Sequence, residues 1–201
     1  RAALPPGFGV EARALTALRR ARGDAGRALG LVDRRIAELH LNALQASLFN
    51  EVLAERIDSY DRLIDGDVAW LHRNGAVFDV PDAAAEAARA AAFEISPSGP
   101  LIGPKCRAAS GPAGEIEEAV ARRHDLPETS RFRARSVRGG RRPLRVPLEE
   151  VDVSAVDGGI ALRFRLPPGS YATSVLREVT KSPAFNGPSG RHVGGAERPP
   201  G

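Results

Sequence analysis

The chain has 201 residues, enough for one large or two small domains, and 42% hydrophobic residues with 5% aromatics is the composition of a folded globular protein. No apolar run approaches the roughly 18 to 20 residues that span a bilayer, and no basic, apolar, small-residue leader opens the sequence, so it reads as cytoplasmic. The net charge of +4 rests almost wholly on arginine, with Lys105 and Lys181 the only lysines, which suits bidentate phosphate contacts and base stacking but equally reflects a GC-rich genome.

Val10 to Arg22 has helical spacing, with Ala12, Leu15 and Leu18 on one side and Gly23 as its stop. A longer helix is predicted from about Arg34 to Ile57, where Ile36, Leu39, Leu41, Leu44, Leu48 and Val52 make an apolar stripe that reads as core against a sheet. Gly66 to Val80 reads as a hairpin turning at Asn74-Gly75, with Trp70 and Phe78 in one sheet. Pro81 and Asp82 open an alanine-rich helix to about Phe93, a Gly/Pro/Ser loop follows, and Glu115 to Arg123 forms another short helix.

Residues 131 to 145, RFRARSVRGGRRPLR, hold seven arginines and no acid. Such a run is either a solvated face or a strip for a polyanion, since each phosphate neutralised adds counterion release. After Leu144 the pattern turns to short strands: Val151 to Val153, a turn at Asp157-Gly158-Gly159, then Ile160, Leu162, Phe164 and Leu166 alternating with Ala161, Arg163 and Arg165. Pro167-Pro168-Gly169 stops that strand, Ser170 and Thr173 are good cap types, and Val175, Leu176 and Val179 give a closing helix its apolar side. Tyr171 is thereby set at a rim beside a helix N-terminus. Residues 182 to 201 are Pro/Gly-rich and read as a disordered tail.

Few sites for other chemistry are offered. His40, His72, His124 and His192 have no metal-ligand spacing, and the single cysteine, Cys106, can build neither a disulfide nor a structural zinc site, so no metal is expected. Cys106 has no histidine near it in sequence and reads as an inert small residue. Walker A, G-x-G-x-x-G and G-x-S-x-G sequences are missing. Asp58, Asp61, Asp65 and Asp67 could pair for acid/base work, but they read first as a polar helix end and turn.

The segment RFRLPPGSYATSVLRE (Arg163 to Glu178) resembles the C-terminal motif of the D-type tRNA pseudouridine synthases, where a strand runs into a G-S-aromatic-A-T-S-V-x-R-E turn and helix. Upstream, HLNALQASLFNEVLAERI (His40 to Ile57), SPSGPLIG (Ser96 to Gly103), GPAGEIEEAV (Gly111 to Val120) and GGRRPLRV (Gly139 to Val146) are similar to that family's landmarks in the same order. Each alone is commonplace, and it is the ordered series that is specific.

The resemblance implies an α+β fold: the C-terminal part of a mixed-sheet pseudouridine synthase catalytic domain, with an inserted α/β domain. Residues 1–145 would be the insertion and 146–181 the last strands and helix of the catalytic domain. It implies isomerisation of a tRNA uridine, typically at position 13, with tRNA as partner and neither metal nor cofactor. Tyr171 matches the family aromatic that helps hold the target base, and Arg138, Arg141, Arg142 and Arg177 are candidate RNA contacts. The family's aspartate nucleophile lies in G-x-K-D-x-x-A, and no Lys-Asp pair occurs in this chain. With no methionine and Arg1 first, the sequence reads as a piece of a longer protein, inactive alone and with no residue assigned as catalytic. A non-catalytic RNA-binding module of the same ancestry and an unrelated α+β interaction domain are the competing readings.

Overall fold

Aspartates mark the helix starts of the N-terminal part. Asp24, Asp33 and Asp82 occupy N-cap positions, where their carboxylates accept the backbone N–H groups of Arg27, Arg35 and Ala84, each at 2.9 Å. These caps open α2 (Ala25–Leu31), α3 (Arg34–Glu55) and α4 (Ala83–Ala91), with α1 (Gly9–Arg20) ahead of them. The short α2 escapes the apolar periodicity but is signalled by Asp24, the cap residue just after the Gly23 stop. A computed structural model describes residues 9–124, 126 and 138–181 and divides at Arg145 into two compact units, residues 1–145 and 146–201. The tail at 182–201 and Arg131, Arg133 and Arg135 lie outside the described residues.

The first unit holds an antiparallel sheet in the order β2-β1-β3-β4, built from β1 (Val68–Leu71), β2 (Val77–Asp79), β3 (Ile95–Leu101) and β4 (Gly140–Pro143). Trp70 on β1 pairs Val77, and Phe78 on β2 pairs Ala69. Asn74-Gly75 turns the chain inside a connection from 72 to 76, with Gly75 alone taking a positive φ, +72°.

The expected loop between the alanine-rich helix and the next one is instead β3, the most buried strand, with six of its seven residues, ISPSGP, inside. Serine, proline and glycine hide it from any periodicity test. Its two prolines are tolerated because β3 pairs β1 through residues 95–97 and β4 through residues 98–101, so no stretch must supply two ladders at once. Gly99 is the seat of α3 on the sheet: a Cβ there would lie 2.9 Å from the Phe49 ring. The final helix of this unit, α5 (Gly111–Arg123), starts four residues ahead of expectation, with Pro112 in its first turn. Leu48 and Val52 of α3 bury against Val120 of α5, whereas Ala69, Val80, Ala90 and Ile95 form a second core between sheet and α4. Leu39, expected in the stripe, is 56% exposed.

The second unit is a hairpin, β5 (Glu149–Val156) and β6 (Gly159–Arg165), followed by α6 (Ala172–Thr180). Gly158 turns it with φ +74°, and a bulge between Glu149 and Asp152 puts Glu150 at φ +49°. Val153 faces Leu162 and Ala155 faces Ile160 on one side, with Asp152 opposite Arg163 on the other. No residue from Val146 to Lys181 is buried. The apolar face has no core beneath it within this unit.

Candidate nucleic-acid interface

Within the first unit, Arg138, Arg141 and Arg142 come together on β4 and its lead-in. A glycine pair puts them there. A Cβ on Gly103 would sit 2.7 Å from the Gly139 nitrogen, so two backbones cross with no room for side chains, and the Lys105 N–H donates to the Arg138 carbonyl at 2.8 Å. SPSGPLIG and GGRRPLRV therefore meet at their glycine ends.

The three arginines then diverge in role. Arg138 and Arg142 are exposed, the latter with its guanidinium 5.3 Å from the centre of the Phe49 ring. Arg141, expected as an RNA contact, is buried. Its Nη1 and Nη2 donate to the two carboxylate oxygens of Glu117 at 2.9 and 2.7 Å, its Nε donates to Ser98 Oγ at 3.0 Å, and it also donates to the carbonyls of Ser98 and Arg107. A guanidinium so occupied has no donor left for a phosphate. The physical reason is the strand period: in β4, Arg141 points inward and Arg142 outward. Burial raises the Glu117 carboxyl above the ordinary carboxylate range, against the opposing pull of Arg141. Burial likewise pushes up the Cys106 thiol, away from nucleophile behaviour.

A second cluster, which periodicity did not show, surrounds Arg145. Its guanidinium stacks 4.0 Å from the Phe93 ring centre and its Nε donates to Ser96 Oγ at 2.9 Å. His72 Nε2 lies 2.8 Å from the same hydroxyl, and the His72 and Phe93 rings are 5.2 Å apart. Phe93 adopts φ +59°, a left-handed conformation rare for a bulky side chain, as it leaves the end of α4. The signal available in sequence was the alternation of Ser96 and Ser98, had the segment been read as a strand.

The acidic series resolves into structural roles. Asp67 is 1% exposed and accepts Arg56 Nη1 at 2.9 Å and the Ile64 N–H at 2.8 Å, while Asp65 accepts the Ala83 N–H at 2.8 Å. Asp61 lies in an exposed ion pair with Arg62.

In the second unit Tyr171 is 72% exposed and is itself the N-cap residue of α6, making no side-chain cap bond. Gly169, at φ +84°, and the Ser170 N–H donating to the Pro167 carbonyl at 3.2 Å form the turn that delivers it. Arg177 is exposed on α6. A helix start beside an exposed aromatic face suits a flat, polar-edged ligand.

The architecture defines an α+β protein with an arginine-bearing edge strand and a separate unit that presents one ring. A crystal structure from Methanosarcina mazei, described as a tRNA pseudouridine synthase D, shares this fold with a TM-score of 0.64 and 22% identity over 89% of this chain and 46% of that one. The family model for tRNA pseudouridine synthase D matches residues 1–179. The chain belongs to the tRNA pseudouridine synthase D family. Among curated relatives of that name, the Geotalea daltonii protein is 48% identical over 158 residues, 78% of this chain. A Thermus thermophilus protein is 47% identical over 148 residues, 73% of this chain. The chain spans 40% of the length of each.

Proposed function

We propose that this chain is the C-terminal portion of a tRNA pseudouridine synthase that isomerises uridine, at position 13, in the cytoplasm. In that reaction the N1–C1′ bond breaks, the base turns, C5–C1′ forms, and the C5 proton is replaced by one on N1, so no redox partner is consumed. Such chemistry needs a nucleotide drawn out of its stack and held by a flat side chain. The observation that carries this reading is Tyr171, exposed at the start of α6 within the family's own strand–turn–helix sequence. Residues 1–145 would be the inserted domain, with Arg138 and Arg142 toward RNA and Arg141 holding them in place. Arg177 would lie toward the substrate from α6. That no helix among the described residues is long and apolar enough to cross a membrane suits this setting.

Base stacking contributes about 1–3 kcal/mol per base, so Tyr171→Ala in the complete synthase should lower kcat/KM roughly tenfold to a hundredfold, with Tyr171→Phe keeping most of it. An unchanged rate in the alanine variant removes Tyr171 from the site. A second reading is an RNA-binding module without chemistry. An in-frame G-x-K-D-x-x-A upstream of Arg1 supports the enzyme, and its absence supports binding alone.

A further inference from the structure

We infer that the α1–α2 hairpin is a second RNA-backbone surface, remote in sequence from β4 and from Tyr171. This rests on the reading of tRNA as substrate. Residues 9–31 carry five arginines against two acids. Four of the arginines, Arg19, Arg20, Arg22 and Arg27, fall around one short turn between the last turn of α1 and the first of α2.

The acids nearby do not neutralise them. Glu11 lies in the first turn of α1, and Asp24 and Asp33 spend their carboxylates on the starts of α2 and α3. Among the described residues, Arg19, Arg20, Arg22 and Arg27 form no ion pair. Other arginines of the first unit are matched, Arg56 with Asp67, Arg107 with Asp79, Arg122 with Glu118, Arg123 with Glu55 and Arg141 with Glu117, whereas Arg73, Arg138, Arg142 and Arg145 form no ion pair among the described residues. The hairpin differs in density: four arginines without an ion pair among the described residues share the stretch 19–27.

Fold stability does not explain the placement. Arg19 and Arg20 suit a helix C-terminus, but Arg27 and Arg35 stand at helix starts, where the macrodipole disfavours a cation. Arg22 holds φ +55°, a conformation that favours glycine or asparagine. The hairpin closes on Ala17, Ala21 and Ala28 with Val32 packed against them, and Arg19, Arg20, Arg22 and Arg27 are exposed. Guanidiniums without an ion pair, clustered around one turn, fit the phosphates of a structured RNA.

The test is a Gln replacement of Arg19, Arg20, Arg22 and Arg27 in the complete synthase, with tRNA affinity measured across a salt series. Four lost phosphate contacts should flatten the log K against log salt slope by about 3 to 4 and weaken binding at least about tenfold at roughly 100 mM salt, with the circular dichroism spectrum and Tm retained. Arg122→Gln, which removes a paired arginine, should leave the slope where it was. An unchanged slope in the quadruple variant overturns the inference. So does loss of binding to phosphatidylserine vesicles with tRNA affinity intact, which would assign the hairpin to a membrane surface. If the wild-type synthase shows no salt-dependent tRNA binding, the proposed substrate itself fails, an outcome distinct from wild type and variant binding alike.

Discussion

Arg141 shows how one side chain changes role with one step along a strand. Its guanidinium is 1% exposed and faces Glu117 in a two-pronged pair, with the Ser98 hydroxyl and two carbonyls taking its remaining donors. The cost of burying two charges is offset only because every donor is met, so removing one partner strands the other. Arg141→Ala is expected to lower unfolding stability by about 3–5 kcal/mol in denaturant melts. The pH dependence has a definite sign. The folded Glu117 carboxyl titrates above its unfolded value, so its contribution is fully present below the ordinary carboxylate pKa and is lost as pH rises through the raised one. Without Arg141 that value rises further. The deficit of the variant should therefore be larger at about pH 7 than near pH 4.5, and a pH-independent deficit would contradict the pairing.

At the scale of elements, the junction of β1, β3 and the end of α4 is held by His72, Ser96, Phe93 and Arg145. Burial, followed by the positive charge of Arg145, lowers the His72 pKa below 6.5. A depressed folded pKa gives stability that is present above the unfolded value and lost as pH falls. Tm should drop between about pH 7 and pH 5, and His72→Gln should flatten that part of the profile. An identical profile in the variant would assign the acid lability elsewhere. The crossing of the β3 exit over the β4 entry makes a second demand. A Cβ at Gly103 would meet backbone at 2.7 Å, so Gly103→Ala should cost about 1–3 kcal/mol through forced backbone shifts, measured by chemical unfolding.

For the whole molecule, the two units differ in how they are stabilised. The first buries Leu48, Val52, Val68, Val80, Ile95 and Val120, whereas the second buries nothing between Val146 and Lys181. Val151, Val153 and Ile160 are each more than half exposed. A hairpin and one nine-residue helix are too small to bury a core without outside support. Residues 1–145 alone should melt cooperatively, and residues 146–181 alone should show no cooperative thermal transition by circular dichroism. A sharp transition in the shorter piece would show that it holds itself together.

Local chemistry is what the sequence by itself determined. The helix start at Asp82, the turns at Asn74-Gly75 and Asp157-Gly158, the alternation of Ile160 to Leu166 and each landmark of the family depend on neighbours a few residues apart, which is why they could be read without coordinates. Pairing between distant segments was decided only by the tertiary structure. Ile95–Leu101 becomes the inner strand because β1 and β4 flank it, not because its Ser-Pro-Ser-Gly composition favours a strand. Arg141 leaves the basic strip because its carboxylate partner comes from α5, 24 residues earlier, and burial is a property of what packs around a residue rather than of the residue.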